Sequence, residues 1–272
     1  MEYIQVQHAQ IPALGLGTYQ LIGREAREVV QRALAMGYRH IDTASIYENE
    51  AEVGSGLNGT SIEREDVWIT TKVWHTNLKK KNFLLSVEES LRKLGCGYLD
   101  MVLIHWPSPE VSMEEMVNSL IAAQEKDYTR FVGVSNFPLS MVEELVEYGV
   151  NIVTNQVEYH PYLDQSEMRE WLRARGMALT AYSPLAQGKI MKDSKILDIA
   201  EDLGKTPSQV VLRWLLDQGN VIAIPKSSRG DHLRENLQIA TMRLTKEHHK
   251  ILDGLARPDG RIVNPDFAPQ WD

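Results

Sequence analysis

Eight short runs rich in β-branched and aromatic residues recur along the 272-residue chain, and helical patterns separate them. The runs are "PALGLGT" (12–18), "YRHIDT" (38–43), "VWITTKV" (67–73), "DMVLIHW" (100–106), "FVGVSN" (131–136), "IVTNQVEY" (152–159), "ALTAYS" (178–183) and "VIAIPKS" (221–227). They are mostly continuous rather than alternating, the pattern of strands covered on both faces. Between them, "REAREVVQRALAMG" (24–37) has apolar residues at helical spacing and stops at Gly37. "LLSVEESLRKLG" stops at Gly95, "SMVEELVEYG" at Gly149 and "SEMREWLRARG" at Gly176. Ser112 with Glu115 reads as a capping box. Thr206, Pro207 and Gly219 bracket a further helix.

Eight strands alternating with helices predict an α/β fold, a (β/α)8 TIM barrel. A doubly wound sheet is the runner-up. It usually has fewer strands and a Gly-rich turn after the first, whereas "GLGT" at 15–18 lacks the third glycine. The first ten residues and "IPAL" predict an N-terminal β-hairpin closing the barrel bottom. The tail "RPDGRIVNPDFAPQWD" reads as an ordered loop over one barrel face. No linker or low-complexity segment interrupts the chain, so residues 1–272 read as a single barrel domain.

The net charge of -8 argues against nucleic acid and anionic membranes as partners, though a local basic pocket could still hold a phosphate. The lone Cys96 forms no internal disulfide and suits a reducing compartment. The N-terminus has neither a basic nor an apolar leader region, and no apolar run approaches the ~20 residues of a membrane span. The expectation is a soluble cytoplasmic protein.

In a barrel of this kind chemistry gathers at the carboxyl ends of the strands. There the chain places Asp42, with Tyr47 just beyond it, then Lys72 and His105, and further on Ser135, Asn136, Asn155, Gln156, Glu158, Tyr182 and Lys226. Singly, each has a structural explanation. Asp42 could cap the next helix, Lys72 could snorkel, His105 could be a satisfied core histidine, and Tyr47 could pack over the mouth. Four such accidents on adjacent strands are less economical than one site. The chemistry that uses all four is proton transfer from a phenol. A free tyrosine, with a pKa near ~10, is a poor acid at neutral pH. An ammonium at Lys72 would stabilise the phenolate, and Asp42 would keep that buried ammonium charged. His105 would hydrogen-bond and orient a carbonyl.

The motifs "DTASIYENEAEVG", "ITTKVW", "LIHWP", "VGVSNF", "NQVEYHP", "AYSPL" and "IPKSS…REN", one per strand and in order, resemble those of the aldo-keto reductases. The resemblance runs from "GLGTYQ" to "RENL". Short loops and the "APQWD" ending make the chain similar to the bacterial branch acting on 2,5-diketo-D-gluconate and methylglyoxal. It implies an NADPH-dependent carbonyl reductase with Asp42, Tyr47, Lys72 and His105 as its tetrad, small carbonyl substrates, no metal and a monomeric state.

Hydride transfer needs a nicotinamide, because no side chain donates hydride. The resemblance puts its ring against Tyr182 and its carboxamide on Ser135, Asn136 and Gln156. It makes "SPLAQGK", with Ser183, Leu185, Gln187 and Gly188, the pyrophosphate strap. The stretch "IPKSSRGDHLRENL" (224–237) has physics suited to a phosphate of its own. Lys226 and Arg229 bring charge, Ser227 and Ser228 bring short donors, and a helix start follows. The resemblance assigns these to the adenosine 2′-phosphate and Glu235 and Asn236 to the adenine. His232 stands where many NADPH-preferring members carry arginine. A mostly neutral imidazole cannot clamp a phosphate bidentately, so NADH is expected to be tolerated. Tyr19, Trp74, His75, Trp106 and Trp271 line the expected substrate mouth. The loop after His105, "WPSPEVS", is short and implies an open pocket. Two other readings compete. A nucleotide-binding sensor would not need Tyr47, and a metal-dependent lyase or hydrolase would need a spaced ligand set that the strand ends lack.

Overall fold

The computed structural model describes residues 1–272. The chain opens with a hairpin of β1 (Tyr3–Val6) and β2 (Ala9–Pro12), paired antiparallel with Val6 opposite Ala9. Eight parallel strands follow: β3 (Leu16–Gly17), β4 (His40–Asp42), β5 (Trp68–Val73), β6 (Leu99–Ile104), β7 (Thr129–Ser135), β8 (Ile152–Glu158), β9 (Ala178–Tyr182) and β10 (Val221–Ala223). Each pairs with its sequence neighbours in order. The ring closes where Ala223 N–H donates to the Ala13 carbonyl at 2.8 Å and Gly15 N–H to the Ala223 carbonyl at 2.8 Å. Gly17 belongs to this seam. A Cβ there would sit 2.7 Å from the Ile224 carbonyl oxygen, so the glycines of "GLGT" serve closure of the barrel rather than a nucleotide turn.

The helices are α1 (Gly23–Met36), α2 (Glu50–Asn58), α3 (Lys80–Leu94), α4 (Met113–Glu125), α5 (Leu139–Glu147), α6 (Ser166–Ala174), α7 (Ser194–Leu203), α8 (Pro207–Asp217), α9 (Gly230–Leu237) and α10 (Lys246–Asp253). The apolar stripe of α1, Ala26, Val29, Val30, Ala33 and Leu34, faces the strands, and Gly37 ends the helix in a left-handed conformation with φ 109°. Thr206 and Gln209 form the full reciprocal capping box of α8. At α4 only half of the expected box exists: Ser112 Oγ accepts from Glu115 N–H at 3.2 Å, with no return bond.

Three helices have no counterpart in the sequence expectation. In α2, Gly54 and Gly56 argue against a helix by propensity. They are there for contact, because a Cβ on Gly54 would lie 2.5 Å from the Leu94 carbonyl oxygen of α3. The α7 helix starts on Asp193, whose carboxylate caps it, and α10 starts on Thr245. Beyond α10 no helix or strand forms.

Two apolar layers hold the barrel. The larger lies between strands and helices. The smaller fills the lower barrel, where Val6, Ala9 and Ile11 of the hairpin pack against Trp68, Met101, Leu103, Val153 and Ile222. The hairpin therefore plugs the bottom, and the polar residues are left to the opposite mouth. No helix is long and apolar enough to cross a membrane.

Candidate active site

β4 ends on Asp42, β5 carries Lys72 one residue before its end, and His105 follows β6 directly. A single turn of 3-10 helix, Ser45–Tyr47, brings Tyr47 back over the mouth. Lys72 is fully buried and Asp42 is 1 % exposed. The ammonium has three N–H groups and uses all three. Nζ donates to Asp42 Oδ1 at 2.5 Å, to the Thr43 carbonyl at 2.8 Å and to the Tyr47 hydroxyl at 3.4 Å. The second carboxylate oxygen of Asp42 accepts from Gln156 Nε2 at 2.8 Å. The pair is thus satisfied on all sides, the condition under which a buried ion pair is tolerated.

Burial opposes the Lys72 ammonium, but Asp42 and then Tyr47 outweigh it and hold its pKa above the ordinary lysine value. Burial raises the Tyr47 phenol above its ordinary value, and Lys72 works against that rise without overturning it. This qualifies the expectation of a simply lowered pKa: at neutral pH Tyr47 holds its proton. His105 is driven well below the ordinary imidazole value by burial first, then by Lys72 and His75, so it is neutral. No hydrogen bond fixes a proton at its buried Nδ1. The Tyr47 and His105 rings meet edge to face with centroids 5.6 Å apart.

Aromatic rings surround this pair. Tyr19, 57 % exposed, forms the rim 5.1 Å from Tyr47. Trp74 stands 5.1 Å from His105, and Trp106 stands 6.1 Å from Trp271. The ring that joins these groups is Phe267, absent from the sequence expectation. It stacks on His75 at 4.5 Å and meets Trp74 and Trp106 edge-on at 5.5 Å each. An aromatic in a Pro-rich tail, four residues before Trp271, was its only signal.

Ser135, Asn136 and Gln156 form one network with Tyr182. Asn136, at φ 62°, donates to the His105 carbonyl at 3.0 Å and accepts from the Tyr182 hydroxyl at 2.9 Å. Ser135 Oγ donates to the Gln156 carbonyl at 2.7 Å. Beyond Tyr182, Ser183, Ala186, Gln187 and Gly188 all take positive φ (47°, 47°, 51° and 86°). Such a run turns backbone groups of the Ser183, Leu185, Gln187 and Gly188 segment in unusual directions, as ligand-binding loops do. Further round, Lys226, Arg229 and His232 are exposed, Ser227 is buried and Ser228 half-buried. No side chain caps the start of α9. Arg229, however, is not free. It makes a two-pronged contact with Asp231, Nε to Oδ1 at 3.1 Å and Nη2 to Oδ2 at 2.5 Å. Asp231 also accepts from the His232 N–H at 2.9 Å, and the Arg229 bond comes first in holding its carboxyl far below the usual range. Glu235 is half-buried, while Asn236 is 3 % exposed and packs inward beside the Tyr38 hydroxyl.

The tail is tied down by Glu158, which the sequence places among the strand-end polar residues without a role. This fully buried carboxylate accepts from Ile262 N–H at 2.7 Å and Val263 N–H at 2.8 Å, with His160 Nε2 at 2.8 Å. Arg261 then lies over the Trp271 ring at 3.6 Å, and Asp272 bonds the Leu139 N–H and the Ser140 hydroxyl at the start of α5.

Residues 13–257 match the family model described as the aldo/keto reductase family. The chain is 41 % identical to methylglyoxal reductase DkgB of Escherichia coli O157:H7, covering 96 % of this chain and 99 % of that protein. It is 38 % identical to glyoxal reductase of Bacillus subtilis strain 168, covering 94 % and 93 %. A crystal structure described as a candidate 2,5-diketo-D-gluconic acid reductase B superposes with a TM-score of 0.98 at 44 % identity, covering 100 % of this chain and 98 % of that one. A variant of Gox0644 in complex with NADPH superposes with a TM-score of 0.91 at 34 % identity, covering 96 % of each.

Glu158→Gln would keep one acceptor oxygen and turn an NH2 toward the backbone N–H that the other oxygen accepts, since Ile262 N–H bonds Oε1 and Val263 N–H bonds Oε2. Amide exchange at Ile262 and Val263 is expected to accelerate, with a loss of ~1.5–3 kcal/mol of stability. Hydrogen-exchange mass spectrometry and thermal unfolding measure both. Unchanged exchange in the tail would show that this carboxylate does not hold it.

Proposed function

The chain belongs to the aldo/keto reductase family, and on that premise we propose that it reduces small aldehydes, dicarbonyls and keto-sugars to alcohols with NADPH, Tyr47 giving the proton. The observation that carries the reading is the buried Lys72–Asp42 pair set under the Tyr47 hydroxyl and beside a neutral His105. As an aldo-keto reductase the protein is an oxidoreductase using NAD(P)H. Methylglyoxal and 2,5-diketo-D-gluconate are the substrates named for its relatives, and the short connection between β6 and α4 leaves room for such molecules. In this reading one barrel domain spans 1–272 and works as a monomer in the cytoplasm, and a single sedimenting species of 30.9 kDa is expected.

When bound, the reduced nicotinamide supplies the hydride. The chain's own residues do the rest. His105, neutral and held in an aromatic wall, donates to the carbonyl oxygen from Nε2 and orients it. Tyr47 keeps its proton until the oxygen gains charge, then gives it up. Lys72 stabilises the phenolate left behind, and Asp42 keeps Lys72 charged as it does so. The residues fit the coenzyme. Tyr182 offers a platform, four residues of the 183–188 segment hold positive φ, and Lys226, Arg229 and His232 lie by the uncapped start of α9. Asp231 is the exception, because its carboxylate fills the guanidinium fork that a 2′-phosphate would use.

Three outcomes follow from this chemistry. Tyr47→Phe should bind NADPH as wild type does and lose ~10²–10⁴-fold in turnover with methylglyoxal; a variant keeping a third of wild-type kcat would remove Tyr47 from the mechanism. Since the phenol is raised and the imidazole lowered, neither changes state near neutrality. The kcat for reduction should therefore stay level from pH about 6 to about 9, and a limb near pH ~7 would contradict that. Finally, Asp231→Asn should free Arg229 and tighten NADPH about three- to tenfold, leaving NADH within about twofold. Fluorescence titration measures both, and parallel shifts would detach this segment from the 2′-phosphate.

A further inference from the structure

The wall beside Tyr47 and His105 is built from the rings of Trp74, Trp106, Phe267 and Trp271, with one further imidazole among them, His75. His75 opens the 3-10 turn His75–Asn77 that follows β5. Its ring stacks on Phe267 with centroids 4.5 Å apart and lies 4.8 Å from Trp74. Trp74 in turn stands 5.1 Å from His105, so one indole separates the two imidazoles. A phenyl ring would serve the stack equally well, yet the chain places here a ring with two polar nitrogens. Neither nitrogen is hydrogen-bonded within the chain, and neither is sealed from solvent. Burial holds the imidazole below its ordinary pKa, with Glu110 opposing, so the ring is uncharged at neutral pH. The indoles of the wall can only donate, and the Trp271 N–H is already given to Asn264 Oδ1 at 2.8 Å. His75 is therefore the ring of this wall that can both donate and accept.

We propose that His75 determines specificity by hydrogen-bonding a second oxygen of the substrate, on a carbon near the reacting carbonyl, and so favours hydroxylated aldehydes and dicarbonyls over plain alkyl aldehydes. The inference rests on the carbonyl reduction proposed above. In that reaction Tyr47 and His105 are occupied by the reacting oxygen. Any second oxygen must then find its partner in a wall that is mostly apolar, and burying it without one costs free energy. A neutral imidazole meets either kind of oxygen. Its N–H donates to a carbonyl, and its two nitrogens together can donate to and accept from a hydroxyl. Because the ring is uncharged, it selects a neutral oxygen. Its place one indole away from His105 suits a short chain whose carbonyl is held at His105 and whose next oxygen passes Trp74.

The test compares DL-glyceraldehyde with propanal, aldehydes of equal chain length that differ only in hydroxyl groups, as substrates of the full chain with NADPH. His75→Phe keeps a ring to stack on Phe267 and removes both nitrogens. The ratio of kcat/KM for glyceraldehyde to that for propanal should fall about three- to tenfold, the size of one net hydrogen bond, with the change carried by the KM of glyceraldehyde. His75→Gln loses the ring but restores a donor and an acceptor, and it should recover most of the ratio. Matching thermal unfolding confirms that both variants are folded. A ring needed only for packing would leave the ratio unmoved in His75→Phe, and that result overturns the inference. So does a loss shared equally by the two aldehydes, or a ratio that His75→Gln fails to recover. If the wild-type chain reduces neither aldehyde nor methylglyoxal, the proposed function fails and takes this inference with it. Turnover with an unmoved ratio sinks the inference alone.

Discussion

A lysine ammonium sealed from water loses its charge unless an anion and hydrogen-bond acceptors meet it where it stands. The contact of Lys72 with Asp42 is that meeting, and the geometry of the mouth follows from it. The ammonium is held from two adjacent strands, β4 and β5, and the carboxylate from a third across the mouth, β8, through Gln156. Only a closed barrel brings β8 to face β4 with the apolar hairpin sealing the opposite end. Tyr47 then needs no strand of its own. A three-residue turn suffices to set its hydroxyl over the one fixed positive charge. The low-dielectric surroundings that make the pair costly also make its field strong.

The strands were legible because burial on both faces leaves no polar alternation, and the barrel followed from their number. The meeting of Asp42, Tyr47, Lys72 and His105 at one mouth was legible because charged and polar residues at the ends of such runs contradict their surroundings. Other elements were hidden for physical reasons. In α2 the glycines that permit close approach of Leu94 in α3 also erase helical propensity. Glu158 looked like one more strand-end acid, and its partners, the N–H groups of Ile262 and Val263, lie more than a hundred residues away. Phe267 lies in a stretch with no periodicity, so its place between His75 and Trp106 depends on the path of the tail. The inward packing of Asn236 depends on helix phase, which a motif does not specify.

The segment at α9 shows a balance of a different kind. A phosphate site requires uncompensated positive charge, yet Arg229 is compensated by its own neighbour, Asp231, which also accepts from the His232 N–H. An exposed pair of this kind is weak and exchanges readily with a competing anion. Such an arrangement admits a 2′-phosphate without enforcing one, which joins the histidine and the aspartate in a single account of relaxed coenzyme choice under the proposed function. The tail shapes the mouth itself. It is pinned at Glu158 and at Asp272, while Phe267 and Trp271 between those anchors complete the aromatic wall.

The central claim is that the charge of Lys72, maintained by Asp42, sets the proton affinity of Tyr47. Alcohol oxidation with NADP+ reports this most directly, because in that direction the phenolate must accept a proton and the rate rises along a limb set by the phenol. The measurement is the pH dependence of kcat for oxidation in wild type and in Lys72→Met. Removing the cation should move the limb upward by about one pH unit or more, with Tyr47→Phe showing no limb at all. A limb that stays in place in Lys72→Met would mean that the ammonium does not tune the phenol, and the account of the site would be wrong.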